Sequence, residues 1–288
     1  MHLWLPISLC TAFFDSMKDV FSKKSLVQVD EYIVAWAYRA MGFPFLLPIL
    51  FFIPIPEIGP SFWTALIVSG TLNLITTFLY IKAVKSSDLS ITSPMLTFSP
   101  VFLLITSPLI TREFPTFWGI CGILLIISGA YMLQIKEKSK GWLAPFFAMK
   151  KEKGPRYMLL VAFIWSISAN FDKIGVKNSS PVFWSLMINL YLVLTLLPFL
   201  LILSRHKLKD IPKHIHTLLP MGIFSAAALL FHCLAIRLTL VAYAISIKRT
   251  SAVMSVVWGH YIFKEKGIKE RLLGVLIMIL GVLLIGFS

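Results

Sequence analysis

The chain has 288 residues, of which 58% are hydrophobic, and its formal net charge is +14. Soluble globular domains are usually about 45–50% apolar, so this composition excludes an ordinary soluble protein and is typical of an integral membrane protein. The positive charge does not indicate nucleic acid, because Lys and Arg accumulate in the cytoplasmic loops of membrane proteins. The three cysteines lie in apolar runs without paired spacing, which predicts neither a disulfide nor a metal site.

Ten apolar runs nearly tile the chain, and each is close to the length of about 20 residues that a helix needs to cross a bilayer. The sequence therefore predicts an all-α integral membrane protein with ten transmembrane helices. The predicted spans are residues 2–21, 32–53, 61–81, 89–110, 115–134, 157–177, 181–203, 217–236, 240–262 and 269–287.

The second half of the chain repeats the first. At an offset of 152, ITREFPTFWGICGILLIISGAYML (110–133) aligns with IFKEKGIKERLLGVLIMILGVLLI (262–285), and Arg112-Glu113 falls on Lys264-Glu265. Two glycine pairs also coincide, Gly122 with Gly274 and Gly129 with Gly281. We expect five-helix repeats at 1–134 and 157–288, joined by a basic linker at 135–156. Because five is odd, the second repeat enters the membrane from the opposite side, which predicts inverted repeats.

The basic residues predict the orientation in the membrane. In the ten-span topology, 19 of the 27 Lys and Arg residues lie on one side and 4 lie on the side of the termini. The positive-inside rule then places the basic loops in the cytoplasm and both termini outside.

Two equivalent stretches carry a family resemblance. They are AVKSSDLSITSPMLTFSPVFLLITSPLITREFPTFWGICGILLIISGAYML (83–133) and AIRLTLVAYAISIKRTSAVMSVVWGHYIFKEKGIKERLLGVLIMILGVLLI (235–285). Their pattern resembles the EamA-type family of the drug/metabolite transporter superfamily, with Pro100 at the central proline of the fourth helix. The resemblance covers nearly the whole chain. It implies two inverted bundles around a central cavity lined by helices three, four, eight and nine, helped by one and six, and transport of small metabolites.

The motif SIKRTS (246–251) places Lys248 and Arg249 near the middle of an apolar run. A charged side chain at bilayer depth costs about 2.5–3.5 kcal/mol on insertion scales. Three explanations remain open: the two cations bind an anionic substrate, they form structural ion pairs with Asp15 or Asp172, or they face water. The pair is also similar to the phosphate-binding Lys-Arg pair of the plastid sugar-phosphate translocators. Their further lysine is absent here, because Leu96 occupies the position equivalent to Lys248.

A polar stripe recurs at equivalent positions of the first and sixth predicted spans. Asp15 and Lys18 lie on one helical face, as do Asn170 and Lys173. Asp15 and Asn170 are candidates for the cavity wall, and Asp15 is also a candidate proton-coupling carboxylate. The alternative is that Asp15 pairs with Lys18 and that both lysine heads extend from the helix ends to the interface.

Three further polar residues complete the candidate site. Asn73 and His232 lie in the middle of the third and eighth predicted spans, where each either contacts substrate or is a hydrogen-bonded core residue. Tyr243 either reaches the cavity mouth or anchors the membrane interface. The full candidate substrate-binding set is Lys248, Arg249, Asn73, Asn170, Asp15, His232 and Tyr243.

The sequence therefore predicts a multi-pass secondary transporter of the cell membrane that carries a small polar, anionic metabolite by alternating access. The alternative is a flippase for a phosphate-bearing lipid carrier. No HExxH, GxSxG or P-loop motif is present, so we expect neither an enzyme nor a metal or cofactor. The expected partners are a small-molecule substrate, the lipid bilayer and a coupling proton or counter-substrate, with no nucleic acid. The chain is expected to be a monomer or a homodimer.

Overall fold

The computed structural model of the chain describes residues 3–52, 54–87, 92–134, 144–263 and 268–288. These residues are mostly helical and include no strand, which confirms the all-α class. Short 3₁₀ segments cover Leu47–Phe52, Ser93–Phe98, Arg205–Asp210 and Pro212–His214. The α-helices are α1 (Trp4–Leu26), α2 (Glu31–Ala40), α3 (Phe43–Leu46), α4 (Phe62–Ser86), α5 (Ser99–Ile110), α6 (Phe117–Gln134), α7 (Ala144–Lys151), α8 (Lys153–Lys177), α9 (Pro181–Leu203), α10 (Ile215–Leu238), α11 (Val241–Lys248), α12 (Ser251–Phe263) and α13 (Ile268–Gly286).

Several of these helices are long and apolar enough to cross a membrane, so the protein is a multi-pass membrane protein. Among the described residues five helical stretches meet that standard: Glu31–Phe52, Phe62–Ser86, Lys153–Lys177, Pro181–Leu203 and Pro212–Leu238. Shorter apolar helices cover Pro94–Ile110, Phe117–Leu133 and Leu272–Gly286. Helix α1 has 23 residues, about 35 Å at 1.5 Å per residue, but it carries five charged side chains in its second half, from Asp15 to Lys24.

The predicted span at 32–53 coincides with Glu31–Phe52, a helical stretch long and apolar enough to cross a membrane. Neither this stretch nor the described part of the predicted span at 89–110 is one continuous α-helix. The first is divided into α2, α3 and a 3₁₀ segment that ends at Phe52. In the second, a 3₁₀ segment over Ser93–Phe98 precedes α5. Prolines explain both interruptions, because proline lacks the N–H that would bond to the preceding turn. Pro44 and Pro48 lie in the first region, and Pro94 and Pro100 in the second.

The predicted span at 240–262 is also interrupted, and no proline is involved. Helix α11 ends at Lys248, and α12 begins at Ser251. The Arg249 N–H donates to both Ile245 O (3.1 Å) and Ser246 O (3.0 Å), and the Thr250 N–H donates to Ile247 O (2.9 Å). The chain therefore tightens into a 3₁₀-like turn, which ends the α-helical ladder. Lys248 and Arg249 lie at this break rather than within a continuous helix.

Helix packing follows the repeat. Helix α1 packs mainly against α10, and α4 packs mainly against α8. Because α8 is the repeat equivalent of α1 and α10 is the equivalent of α4, the two contacts are equivalent. Helices α6 and α13, equivalent in the alignment, pack against each other. A Cβ atom on Gly122 would lie 2.7 Å from Gly281 O, and one on Gly129 would lie 2.5 Å from Gly274 O. These contacts are reciprocal, and their order shows that α6 and α13 run antiparallel.

The connecting segments meet at two ends of the molecule. At end A, Gly59 N donates to Asn178 O over 2.8 Å. At end B, Asp30 accepts hydrogen bonds from Ser204 Oγ (2.6 Å) and Lys207 Nζ (2.9 Å). Partial burial acts to raise the pKa of Asp30, but hydrogen bonds from Ser204, Lys207 and the Tyr32 N–H outweigh it and hold the pKa below its ordinary value.

Candidate substrate site at the helix breaks

The two repeats interrupt a helix at the same position. Helix α5 begins at Ser99 and α12 begins at Ser251, and these serines are equivalent at the offset of 152. The Arg249 guanidinium donates from Nη2 to the Ser99 hydroxyl, so a residue of one break contacts the other break. The buried Arg249 Nε has no hydrogen-bond partner among the described residues. The guanidinium therefore keeps a donor for another acceptor.

Lys248 belongs to a charged group that we call the Asp15 cluster, formed by Asp15, Lys18, Asp19 and Lys248. Lys18 Nζ lies 2.7 Å from Asp15 Oδ1 and 3.1 Å from Asp19 Oδ1. Lys248 Nζ lies 3.7 Å from the same Asp15 oxygen. The predicted alternative of an ion pair between Lys248 and Asp15 is therefore found. The distance from Lys248 Nζ to Asp15 Oδ1 is too long for a hydrogen bond, and Lys18 is the closer partner of this oxygen.

The pairing between Asp15 and Lys18 was the alternative to a cavity role for Asp15, and the structure confirms that pairing. The ion pair between Asp15 and Lys18 does not neutralise the whole Asp15 cluster. Two lysines face two carboxylates in the Asp15 cluster, and Arg249 adds one further positive charge beside them. The region around the break thus has an excess of positive charge, which favours an anion.

Side-chain exposure within the Asp15 cluster increases toward end B. Asp15 is 12% exposed and Asp19, one turn further along α1, is 51% exposed. The Lys248 side chain is 29% exposed. A cavity of about 650 Å³ between the end of α1 and the start of α10 is lined by Phe21, Lys23, Lys24 and His216, among others, but not by Lys248. Exposure along α1 thus rises toward end B, while the cavity at that end does not reach the break.

His232 lies on α10, the helix that packs against α1. Its side chain is buried, and its Nδ1 atom has no hydrogen-bond partner among the described residues. Lys248, Asp15 and Arg249 are the charged groups whose fields act on the imidazole. The structure thus groups His232 with Lys248, Arg249 and Asp15.

Asn73 lies in a second group, the Asp172 cluster, which consists of Ser69, Asn73, Ser168, Asp172 and Trp184. Asn73 Nδ2 donates to Ser168 Oγ (2.6 Å) and to Ser69 O (2.9 Å). Asp172 forms no ion pair among the described residues, so the predicted alternative of a pair between Asp172 and Lys248 or Arg249 is not found there. Instead Asp172 Oδ1 accepts from Ser69 Oγ (2.5 Å) and Trp184 Nε1 (3.3 Å).

Asn170 is fully engaged by its neighbours. Its Nδ2 atom donates to Ser166 O (2.7 Å) and Thr106 Oγ1 (3.1 Å), and its Oδ1 atom accepts from Thr111 Oγ1 (3.1 Å). The side chain is completely buried between α8 and α5. These bonds hold Asn170 in the contact between the two helices, apart from the Asp15 cluster.

Lys173 does not follow the alternative in which its head extends from the helix end to the membrane interface. It is buried and forms an ion pair with Glu113, and its ammonium also donates to Thr239 O over 2.6 Å. Glu113 Oε2 in turn accepts from the Val241 N–H (2.9 Å) at the start of α11. We call these four residues, Glu113, Lys173, Thr239 and Val241, the end-A latch. Burial of a lysine is possible here because a carboxylate and a carbonyl replace its water.

Tyr243 reinforces the same end. It is buried, and its hydroxyl accepts from Thr116 N over 3.0 Å, so it lies apart from Lys248. The latch residue Glu113 was missing from the predicted site, although its alignment with Glu265 was a usable signal. Arg112, with φ of 56°, adopts the left-handed conformation that is uncommon for a non-glycine residue and turns the chain just before Glu113. Lys264 and Glu265, the equivalent dipeptide, lie outside the described residues, as do residues 135–143 of the predicted linker.

The fold and the interrupted helices define a helical membrane protein built from two repeats. The family model described as "EamA-like transporter family" matches residues 2–135 and 153–287. The chain therefore belongs to the EamA-like transporter family, within the drug/metabolite transporter superfamily.

Solved structures agree on the fold. One, described as "Crystal structure of protein", has a TM-score of 0.78, and the match covers 98% of this chain and 95% of that one. At 11% identity this similarity concerns the fold alone. Among curated proteins no match was found.

Proposed function

We propose that the protein is a secondary transporter of a small polar metabolite with an anionic group, and that it works by alternating access. The observation that carries this proposal is the pair of equivalent helix breaks joined by Arg249 and Ser99. Transporters place their substrates where discontinuous helices of two repeats meet near the membrane midplane.

The proposed architecture is ten membrane spans in two inverted repeats, 1–134 and 157–288, with 135–156 as the linker. Its support is the antiparallel, reciprocal contact between α6 and α13. Two antiparallel helices that exchange equivalent contacts are related by an axis perpendicular to them, and for membrane-spanning helices that axis lies in the membrane plane. Inverted repeats of this kind can exchange conformations, which opens one end while the other closes.

We assign the anion to Lys248, with Arg249 sharing it or bracing Lys248. The motive is the partial exposure of Lys248 and its distance of 3.7 Å from a carboxylate that Lys18 already holds. An ammonium in a cavity of reduced dielectric attracts an anion more strongly than it does in water. Helices α5 and α12 begin at the two breaks that Arg249 and Ser99 connect, and helix N-termini also favour negative charge.

We propose that the contacts of the latch close end A in this conformation and that the substrate reaches the Asp15 cluster from end B. The proposal places end B in the cytoplasm of the cell, because most basic residues belong to its loops, and places the protein in the cell membrane. A reporter fused after Ser288 is expected to be extracytoplasmic. A cytoplasmic signal would reverse the assignment of the two ends.

The test begins with a panel of anionic metabolites, screened for thermal stabilisation of the purified protein and then for uptake into vesicles. Lys248→Gln keeps the approximate size and removes the charge, so it should abolish binding and uptake in a folded protein. Lys248→Arg should retain part of both. Lys213→Gln, on an exposed lysine in the end-B loop, is the matched control and should behave as the wild type.

Two results would contradict the assignment. Normal transport by Lys248→Gln would remove the lysine from the site. Loss of folding in both Lys248→Gln and Asp15→Asn would make the pair a structural one. If no soluble metabolite is carried but a fluorescent phosphate-bearing lipid crosses the bilayer, the alternative function, a lipid-carrier flippase, takes the place of the proposal.

A further inference from the structure

The Asp172 cluster contains a carboxylate without a cationic partner among the described residues. Both hydrogen bonds that it accepts, from Ser69 and Trp184, go to Oδ1, and no described residue donates to Oδ2. In contrast, Asp15 lies within 4 Å of two lysines. A carboxylate in a membrane-spanning helix that lacks a counter-charge is costly when it is ionised, so it has reason to take up a proton.

The neighbours of Asp172 can accommodate both protonation states. Ser69 Oγ lies 3.1 Å from Ser168 Oγ, and either hydroxyl of that pair can be the donor. Hydroxyl groups rotate, so Ser69 can donate to the carboxylate or turn toward Ser168 when the carboxyl is neutral. At the other end of this series of hydrogen bonds, Asn73 Nδ2 donates to Ser168 Oγ over 2.6 Å. Asp172 itself is only partly buried.

The other titratable and charged groups that act on Asp172 come from three helices. They are Arg39 of α2, Lys248 of α11 and Cys233 of α10. None of them forms an ion pair with Asp172 among the described residues. Lys248 connects this carboxyl electrostatically to the substrate site, because a change in the charge of Asp172 alters the potential at the lysine.

We propose that Asp172 is the proton-binding residue that couples transport to a proton gradient. The inference rests on the proposed transport function. One proton from the water on one side adds to Oδ2 of the carboxylate and forms a neutral carboxylic acid. After the conformational change the same O–H bond breaks, the proton passes to water on the other side, and the carboxylate is restored. Asp15 is the candidate coupling residue from the sequence, but Lys18 and Lys248 both lie within 4 Å of its carboxylate.

The position of Asp172 links protonation to the conformational change. The residue precedes Lys173, which closes the end-A latch, and it joins α8 to α4 and α9 through Ser69 and Trp184. Hydrogen bonds to an ionised acceptor are about twice as strong as neutral ones. Protonation of Asp172 therefore weakens the junction of three helices beside the latch and favours its release.

Infrared difference spectroscopy of the protein in lipid vesicles tests proton binding without any substrate. As the pH is lowered, the wild type should gain the C=O band of a protonated carboxylic acid. Asp172→Asn should lose this band, Asp15→Asn should keep it, and Ser69→Ala should move its frequency because the carboxyl loses a hydrogen-bond partner. If Asp172→Asn does not fold, Asp172→Glu should move the band without removing it. A band that persists in Asp172→Asn or that Asp172→Glu leaves unmoved, or one that is lost in Asp15→Asn, overturns the proposal.

Transport measurements separate this inference from the proposed function. With a metabolite from the panel, wild-type uptake should follow an imposed proton gradient, and a pH dye inside the vesicles should report the accompanying protons. Asp172→Asn should lose gradient-driven uptake and keep exchange of labelled for unlabelled metabolite. Lys248→Gln should lose both and retain the infrared band. Uptake driven by sodium instead of protons, or proton-driven uptake by Asp172→Asn, contradicts the coupling role.

Discussion

The Arg249 guanidinium donates a hydrogen bond to the Ser99 hydroxyl, and this contact joins the points at which the two repeats interrupt a helix. The two residues are 150 positions apart in the chain. Hydrogen bonds to charged groups contribute about 1.5–3 kcal/mol. The contact therefore ties the start of α5 to the end of α11, beside Lys248.

Ser99→Ala removes the acceptor of this contact and should lower uptake by roughly ten-fold, because about 1.4 kcal/mol corresponds to a factor of ten. Thermal stability should change much less than uptake. Ser128→Ala is the matched control, since the Ser128 hydroxyl is exposed and bonds only to Leu124 O of its own helix. Equal uptake by the two alanine variants would show that the contact does not serve transport.

The contact between α6 and α13 predicts a sharp difference between two Gly→Ala variants. In Gly122→Ala the new Cβ would lie 2.7 Å from Gly281 O, whereas in Gly286→Ala the nearest atom is Leu5 Cδ2 at 3.5 Å. Overpacking costs about 1–3 kcal/mol, so Gly122→Ala should lower the Tm of the purified protein. Gly286→Ala should leave the Tm within experimental error. A similar Tm for both variants would contradict the close approach of the two helices.

The end-A latch predicts how the accessible end can be switched. Glu113→Gln leaves the ammonium of Lys173 buried without a counter-charge, which costs about 3–5 kcal/mol when the partner stays in place. The strain should favour the conformation in which end A opens. In a variant without the native cysteines, a buried Thr106→Cys reporter should then react with a membrane-impermeant thiol reagent from the end-A side.

The double variant Glu113→Gln with Lys173→Met removes both charges and serves as the comparison. The conformation with end A closed should be more stable in the double variant than in Glu113→Gln alone, because no unpaired charge remains buried. Labelling of the reporter should be slower in the double variant. Equal protection of Thr106→Cys in the wild type and in Glu113→Gln would rule out a gating role for the ion pair.

The end-B contact of Asp30 predicts a pH dependence of stability. The pKa of Asp30 is lowered in the folded protein, so its contribution is present above the pKa of the unfolded chain and is lost as the pH falls through the folded value. Asp30→Asn should therefore lower the Tm by a few degrees at most at neutral pH, because Lys207 is 61% exposed and water screens the pair.

That difference between the wild type and Asp30→Asn should shrink as the pH is lowered toward about 3, below the ordinary pKa of Asp. Thermal unfolding of both proteins at several pH values measures it. A difference that stays constant would indicate that the hydrogen-bond geometry, rather than the charge of Asp30, stabilises this end.

Most of the architecture could be predicted from the sequence. Apolar runs of about 20 residues identify membrane helices. Lipid offers no hydrogen-bond partners, so a spanning segment has to pair its backbone N–H and C=O groups within its own helix. The glycines of α6 and α13 coincide in the repeat, and the structure places them in reciprocal contact. The pairing of Asp15 with Lys18 followed from their spacing on one helical face.

The breaks and the grouping of the site could not be predicted in the same way. The residues around Arg249 have no helix-breaking proline or glycine, so composition alone indicated a continuous span. The sequence separates Glu113 from Lys173 and Val241, and Ser69 from Asp172, by long stretches of chain. Only folding shows which of these polar groups meet.

The sequence by itself determined the class of protein, the two repeats and the polar residues available to a site, because hydrophobic runs and repeated motifs are local properties of the chain. The tertiary structure alone decided that Asp15 lies between two lysines while Asp172 has only neutral donors among the described residues. The physical reason is that the stability of a buried charge depends on the groups that replace its water, and helices distant in the sequence supply those groups.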